Sequence, residues 1–112
     1  MLTSFDDKLI NEIGIDRNVR ENVILLSDLA ENCKLDGVVC SPHEISYIKK
    51  RFKLEAIAPG IRMSESQADD QKRTLTAKEA LKAGADILVI GRPITQADSP
   101  SEAARSIYES IQ

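Results

Sequence analysis

The sequence contains no tryptophan, and two tyrosines and two phenylalanines bring its aromatic content to only 4% of 112 residues. Nucleic-acid-binding surfaces combine a basic patch with stacking side chains. A formal net charge of −3 supplies no such patch, so no nucleic acid partner is expected. A single histidine, His43, excludes a histidine-rich metal centre, and the two cysteines, Cys33 and Cys40, lack the paired short spacings of a zinc site. No metal is expected, and both thiols read as small buried groups in a reducing compartment. No apolar run approaches the roughly 20 residues needed to span a bilayer. The start of the chain carries "TSFDD", where a signal peptide would place positive charge and then an apolar stretch. The expectations are therefore a cytoplasmic chain and no membrane partner.

What is present has a repeating grammar. Val19, Val23, Leu26, Ala30 and Cys33 recur at steps of four, three, four and three, which puts them on one face of a helix of about four turns. "LDGVVCS" follows, short, apolar and β-branched, and reads as a strand buried on both sides. "SPHE" then starts a helix, with Ser41 as cap, Pro42 in its first position and Glu44 closing a capping box. Ile45, Ile48 and Phe52 mark its inner face. The cycle repeats with "LEAIAPG" and the box "TAKE" from Thr76 to Glu79, in a helix stopped by Gly84, and again with "DILVIG" and the box "SPSE". Ala103, Ala104, Ile107, Tyr108 and Ile111 give the last helix its apolar face. Strand, loop and helix alternate, so the sheet is expected to be parallel.

Two segments break the regularity. "RMSESQADDQKR" is long and polar for a strand-to-helix connection, and such loops carry function. "MLTS" reads as the end of a strand whose beginning is absent. About four strand–helix units are thus present, whereas a closed parallel barrel needs eight. The chain is expected to be either an open parallel sheet or half of a barrel.

In parallel α/β folds ligands lie at the carboxyl ends of the strands. Those ends carry Thr3 and Ser4, Cys40 and Ser41, the run Pro59-Gly60-Ile61-Arg62, and Gly91-Arg92. An apolar strand gains nothing from an arginine at its tip. A glycine beside an arginine suits a phosphate, because the backbone N–H groups approach closely while the guanidinium donates two parallel bonds. A barrel's usual phosphate site uses the loops after its last two strands, which here carry Arg62 and Arg92. Surface pairing of each arginine with a carboxylate is the alternative. His43, beside Pro42 at the start of a helix, reads as a solvated end residue rather than as a catalyst.

Taken in order, "LTS", "DGVVCS", "APGIR", "DDQKR", "TAKEAL" and "VIGRPIT" resemble the carboxyl-terminal half of bacterial orotidine 5′-phosphate decarboxylases. The resemblance implies a single half-barrel domain over residues 1–112, from the end of the fifth strand through the eighth helix of a TIM (β/α)8 barrel, with the amino-terminal half absent. It implies conversion of orotidine 5′-phosphate to uridine 5′-phosphate and carbon dioxide in pyrimidine biosynthesis, with no cofactor. By the same resemblance, Thr3 bonds the edge of the pyrimidine, and Pro59 and Gly60 shape the wall beside the base. Arg62 and Gln71 flank a lid over the phosphate, and Gly91 and Arg92 grip it. The family's chemistry resembles a lysine–aspartate array of the form DxKxxD, and no such motif occurs here. No catalytic residue is therefore assigned, and the chain alone is expected to be inactive. Its expected partners are the nucleotide and either further copies of itself or a missing amino-terminal half. Two alternatives stand beside this: a non-catalytic half-barrel assembly module, and a sugar-phosphate decarboxylase of the same barrel group, which Gln71 disfavours.

Overall fold

A computed structural model describes residues 4–62 and 75–112. Helices α1 (Asp7–Glu12) and α2 (Val19–Asn32) precede strand β1 (Gly37–Val39). A 3-10 turn at Pro42–Glu44 runs into α3 (Ile45–Arg51), followed by β2 (Glu55–Ala58) and the two-residue strands β3 (Ile61–Arg62) and β4 (Leu75–Thr76). The chain then forms α4 (Ala77–Ala83), β5 (Ile87–Leu88), α5 (Arg92–Thr95) and α6 (Pro100–Ser110). β1, β2 and β5 make one parallel sheet in that order, with Val39 opposite Ile57 and Ile57 opposite Ile87. β3 and β4 form a second, two-stranded parallel sheet. These are the alternating parallel β/α units expected from the sequence.

Local chemistry explains the helix starts. Asn18 caps α2 by accepting the Glu21 N–H at 2.8 Å, while the Glu21 carboxylate accepts the Asn18 N–H at 3.2 Å. At α4 the expected box is complete, and Gly84, left-handed at φ 104°, closes the helix. The third box does not form: Ser99 makes no side-chain bond at the start of α6, where Pro100 at the first position already sets the backbone.

One face of the main sheet is covered and the other is bare. Cys40, Ala56 and Ala58 point into a core with Ile10, Val19, Val23, Ile45, Ile48, Ala80 and Ile107. The alternate residues project the other way, and there Val39, Ile87 and Val89 are 55%, 48% and 49% exposed. The expectation of strands buried on both sides thus holds for one side, since no layer among the described residues covers the second. α2 differs in the same sense. It buries Val19, Val23 and Ala30 with Asn22 and Ser27, whereas Leu26 stays half exposed beside the outer edge of β1 and Cys33 is an exposed C-cap residue. Tyr108 is exposed, while half-buried Tyr47 carries the Arg20 guanidinium 4.9 Å from its ring centroid. No helix among the described residues is long and apolar enough to cross a membrane.

The amino ends of the strands are pinned by one carboxylate. Asp86 accepts the Lys49 ammonium at 2.8 Å and the buried Ala56 N–H at 2.7 Å, and Lys49 also donates to the Leu54 carbonyl at 3.2 Å. The lysine bond, reinforced by the Ala56 N–H, holds the Asp86 carboxyl below its ordinary pKa. Replacing Asp86 with alanine strands a buried donor and is expected to lower stability by about 1–2 kcal/mol in urea denaturation. A lowered folded-state pKa stabilises above the unfolded value and loses that effect as pH falls through the folded value. The difference between parent and Asp86→Ala should therefore shrink in acid; a difference that is constant from neutral pH into acid would show that the charge plays no part.

Candidate phosphate site at the strand ends

The opposite, carboxyl ends of β2 and β5 carry Pro59, Gly60, Arg62, Gly91 and Arg92 of the residues singled out in the sequence. β2 and β5 are neighbours in parallel register, Ile57 with Ile87 and Ala58 with Leu88, and the Val89 N–H extends the pairing to the Ala58 carbonyl at 2.9 Å. Pro59-Gly60-Ile61-Arg62 and Gly91-Arg92 therefore leave adjacent strands at the same end of one sheet. Pro59, Gly60, Arg62 and Arg92 are half-buried and Gly91 is exposed. Thr3, Gln71 and the lid segment 63–70 lie outside the described residues.

Each loop has a backbone reason for its shape. Gly60 has φ 77°, a left-handed conformation that glycine adopts without a Cβ clash, and it turns the chain from β2 into β3. Gly91 precedes α5, its carbonyl accepting the N–H groups of Ile94 at 2.9 Å and Thr95 at 3.1 Å. Its φ is −106°, and a Cβ built there meets no atom of the described residues within 4 Å. Packing among the described residues therefore does not demand a glycine at this position. Gly37 differs: its Cβ would lie 2.6 Å from the Glu55 carbonyl, so close strand packing alone accounts for it.

Beside these loops lie two further strand-end groups. Ser41 and Glu44 are buried, and the Glu44 carboxylate accepts the Ser41 N–H at 3.1 Å. Burial, and secondarily the Glu44 charge, pushes the Cys40 thiol up to about 12, which makes it an inert core group rather than a nucleophile. Glu79 at the start of α4 is held below its ordinary pKa, first by the Thr76 N–H and then by the Thr76 hydroxyl. The sequence identified both Glu44 and Glu79 as capping residues. It carried no sign that Thr76 would also pair with Arg62 across β3 and β4, because a two-residue bridge leaves no periodic trace.

Among the described residues no cluster of three histidine, cysteine or acidic side chains could hold a metal ion. An open groove of about 790 Å³ between α2 and α3, lined by Arg17, Glu21, Leu25, Asp28 and Phe52 among others, contains none of the strand-end residues. One partial match to a DxKxxD spacing, Asp70 and Lys72 in "DDQK", lies outside the described residues; another, Asp6 and Lys8 in "DDKLIN", falls at the start of α1. There Asp6 caps the helix through the Leu9 N–H at 2.9 Å, and Lys8 is 86% exposed beside Glu12, remote in kind from a buried catalytic array.

Alternating parallel β/α units of this kind define a piece of a TIM barrel. Residues 1–107 match the orotidine 5′-phosphate decarboxylase / HUMPS family, and the chain belongs to that family. It is 49% identical over 115 aligned residues to the orotidine 5′-phosphate decarboxylase of Mannheimia succiniciproducens, covering 99% of this chain and 48% of that protein. Against the corresponding protein of Actinobacillus succinogenes it is 47% identical, covering 99% of this chain and 49% of the relative. The solved structure of orotidine 5′-phosphate decarboxylase from Lactobacillus acidophilus superposes with a TM-score of 0.76 at 30% identity, over 99% of this chain and 47% of that one. The chain spans about half the length of the relatives it matches.

Proposed function

We propose that this chain is the phosphate- and base-binding half of an orotidine 5′-phosphate decarboxylase, from the end of the fifth strand through the eighth helix of the barrel. The observation that carries the reading is the departure of "PGIR" and "GRP" from neighbouring parallel strands at one end of the sheet. In this reading Arg62 and Arg92 take the 5′-phosphate, with Gly91 allowing its oxygens to approach the backbone. Pro59 and Gly60 wall the base, and Thr3 and Gln71 contribute from segments outside the described residues. The reaction releases carbon dioxide and leaves a carbon to be protonated, and this half holds no DxKxxD lysine to supply that proton. The isolated chain binds nucleotide without turning it over.

Gly91 gives a sharp test, because none of the described residues crowds the position of its absent Cβ. Gly91→Ala is expected to change folding stability by no more than about 1 kcal/mol and to weaken uridine 5′-phosphate binding about tenfold or more, the scale of a lost charge-assisted bond. Unchanged nucleotide affinity in a titration of the folded variant would remove the phosphate from this loop.

The bare sheet face favours a second element of the reading, that the chain works in association. Val39, Ile57 and Ile87 form one row across three strands, and β1 and β5 are the outer strands of that sheet. Exposed apolar rows and unpaired edges seek a covering layer. An amino-terminal half of the barrel supplies both the layer and the missing acid. A second copy of this chain would supply the layer alone.

A further inference from the structure

We propose that the Thr76–Glu79 box is a positioning device for Arg62, so that a helix cap far from the reacting carbon sets the affinity for the substrate's phosphate. The inference rests on the reading of Arg62 as a phosphate ligand.

Thr76 does two jobs. It is the last residue of β4, opposite Arg62 of β3, and also the N-cap of α4. Its N–H donates to the Glu79 carboxylate at 2.8 Å and its hydroxyl donates to the same oxygen at 2.7 Å, while that hydroxyl accepts the Glu79 N–H at 3.3 Å. The cap thus fixes both the backbone and the side chain of the residue that Arg62 lies against.

Two-residue strands in a two-stranded sheet are marginal by themselves. In β3, Ile61 is 4% exposed and packs in the core with Ala77 and Ala80 of α4. Neighbouring Arg62 is half-buried and pairs with Thr76 of β4, and α4 packs against both short strands. Loosening the cap lets the β3–β4 register drift and moves the guanidinium with it. The box at Asn18 and Glu21 has similar geometry, but Asn18 belongs to no strand, so its loss frays a helix end and transmits nothing to Arg62.

This difference is the test. In calorimetric titrations of the 112-residue chain, Thr76→Val is expected to weaken uridine 5′-phosphate by up to about fivefold, the scale of a typical lost cap, with uridine affinity unchanged. Thr76→Ser, which keeps the hydroxyl, should restore the parent value, and Asn18→Ala should leave both ligands unaffected. Equal weakening of both ligands by Thr76→Val, or the same phosphate-specific loss in Asn18→Ala, overturns the inference. A ligand-free readout stands beside these: amide hydrogen exchange at Arg62 should accelerate in Thr76→Val while Ala56 and Ile57 keep the parent rate, and unchanged exchange at Arg62 refutes it. Arg62→Ala separates the two levels. If it abolishes the phosphate preference and Thr76→Val does not alter it, only the positioning role falls; if Arg62→Ala leaves the preference intact, or the parent chain binds neither ligand, the site assignment falls and takes the inference with it.

Discussion

Orotidine 5′-phosphate incubated with the isolated chain is expected to release no carbon dioxide above the buffer control. Adding the amino-terminal half of a relative such as the Mannheimia succiniciproducens enzyme should restore turnover. The reasoning has two parts. First, positioned proton donation contributes about 10²–10⁴ in rate, and no DxKxxD motif is present; of the partial matches, Asp6 caps α1 and Lys8 lies exposed on it. Second, phosphate contacts made away from the reacting carbon raise the rate only when they are coupled to groups that act in the transition state. On the proposed reading, Arg62 and Arg92 without an acid would hold the nucleotide and do nothing more. The bare row of Val39, Ile57 and Ile87 gives the complement a surface to close on, so restored activity should coincide with a one-to-one complex in light scattering. Steady turnover by the isolated chain would sink this account, because a proton donor would then have to exist among residues assigned to binding. Association without recovered turnover would instead show that the covering layer forms but the site does not.

Much of the architecture was legible because it is written in local signals. The box at Thr76 and Glu79 and the stop at Gly84 are short-range chemistry, and the structure reproduces them. Parallel pairing followed from the strand–helix alternation. What the sequence could not convey depends on what lies across an interface. Val39 and Ile87 have the composition of buried strand residues, and nothing local distinguishes a face that is packed from one awaiting a partner. Leu26 misled for the same reason: its helical spacing matched the inner face of α2, but it stands beside the outer edge of β1. Ser99 failed as a cap although "SPSE" has the right letters, since the motif specifies opportunity and the local backbone decides whether the bond forms. At the candidate site, the glycine–arginine turns were visible as interruptions of apolar strands. The bridge between Arg62 and Thr76 was not, because it joins residues separated by a long polar connection through only two positions on each side.

Arg92→Ala is expected to weaken uridine 5′-phosphate by at least about 2 kcal/mol, roughly thirtyfold, while uridine is affected little. Arg92 opens α5 directly after Gly91, with Pro93 stiffening the first turn, so its backbone is fixed before any ligand arrives. A half-buried guanidinium in that position is partly desolvated, which strengthens its bond to a dianion relative to the same contact in water. Arg92→Lys separates geometry from charge: an ammonium keeps the charge but not the planar fork, so lysine should recover only part of the loss. Because screening acts on charge, the difference between parent and Arg92→Ala should also narrow as salt is raised. A purely structural role for Arg92 predicts something else, a fall in stability with equal losses for nucleotide and nucleoside. The ratio of the two affinities, measured on folded variants at two ionic strengths, decides between a group that meets the phosphate and one that merely holds its own loop.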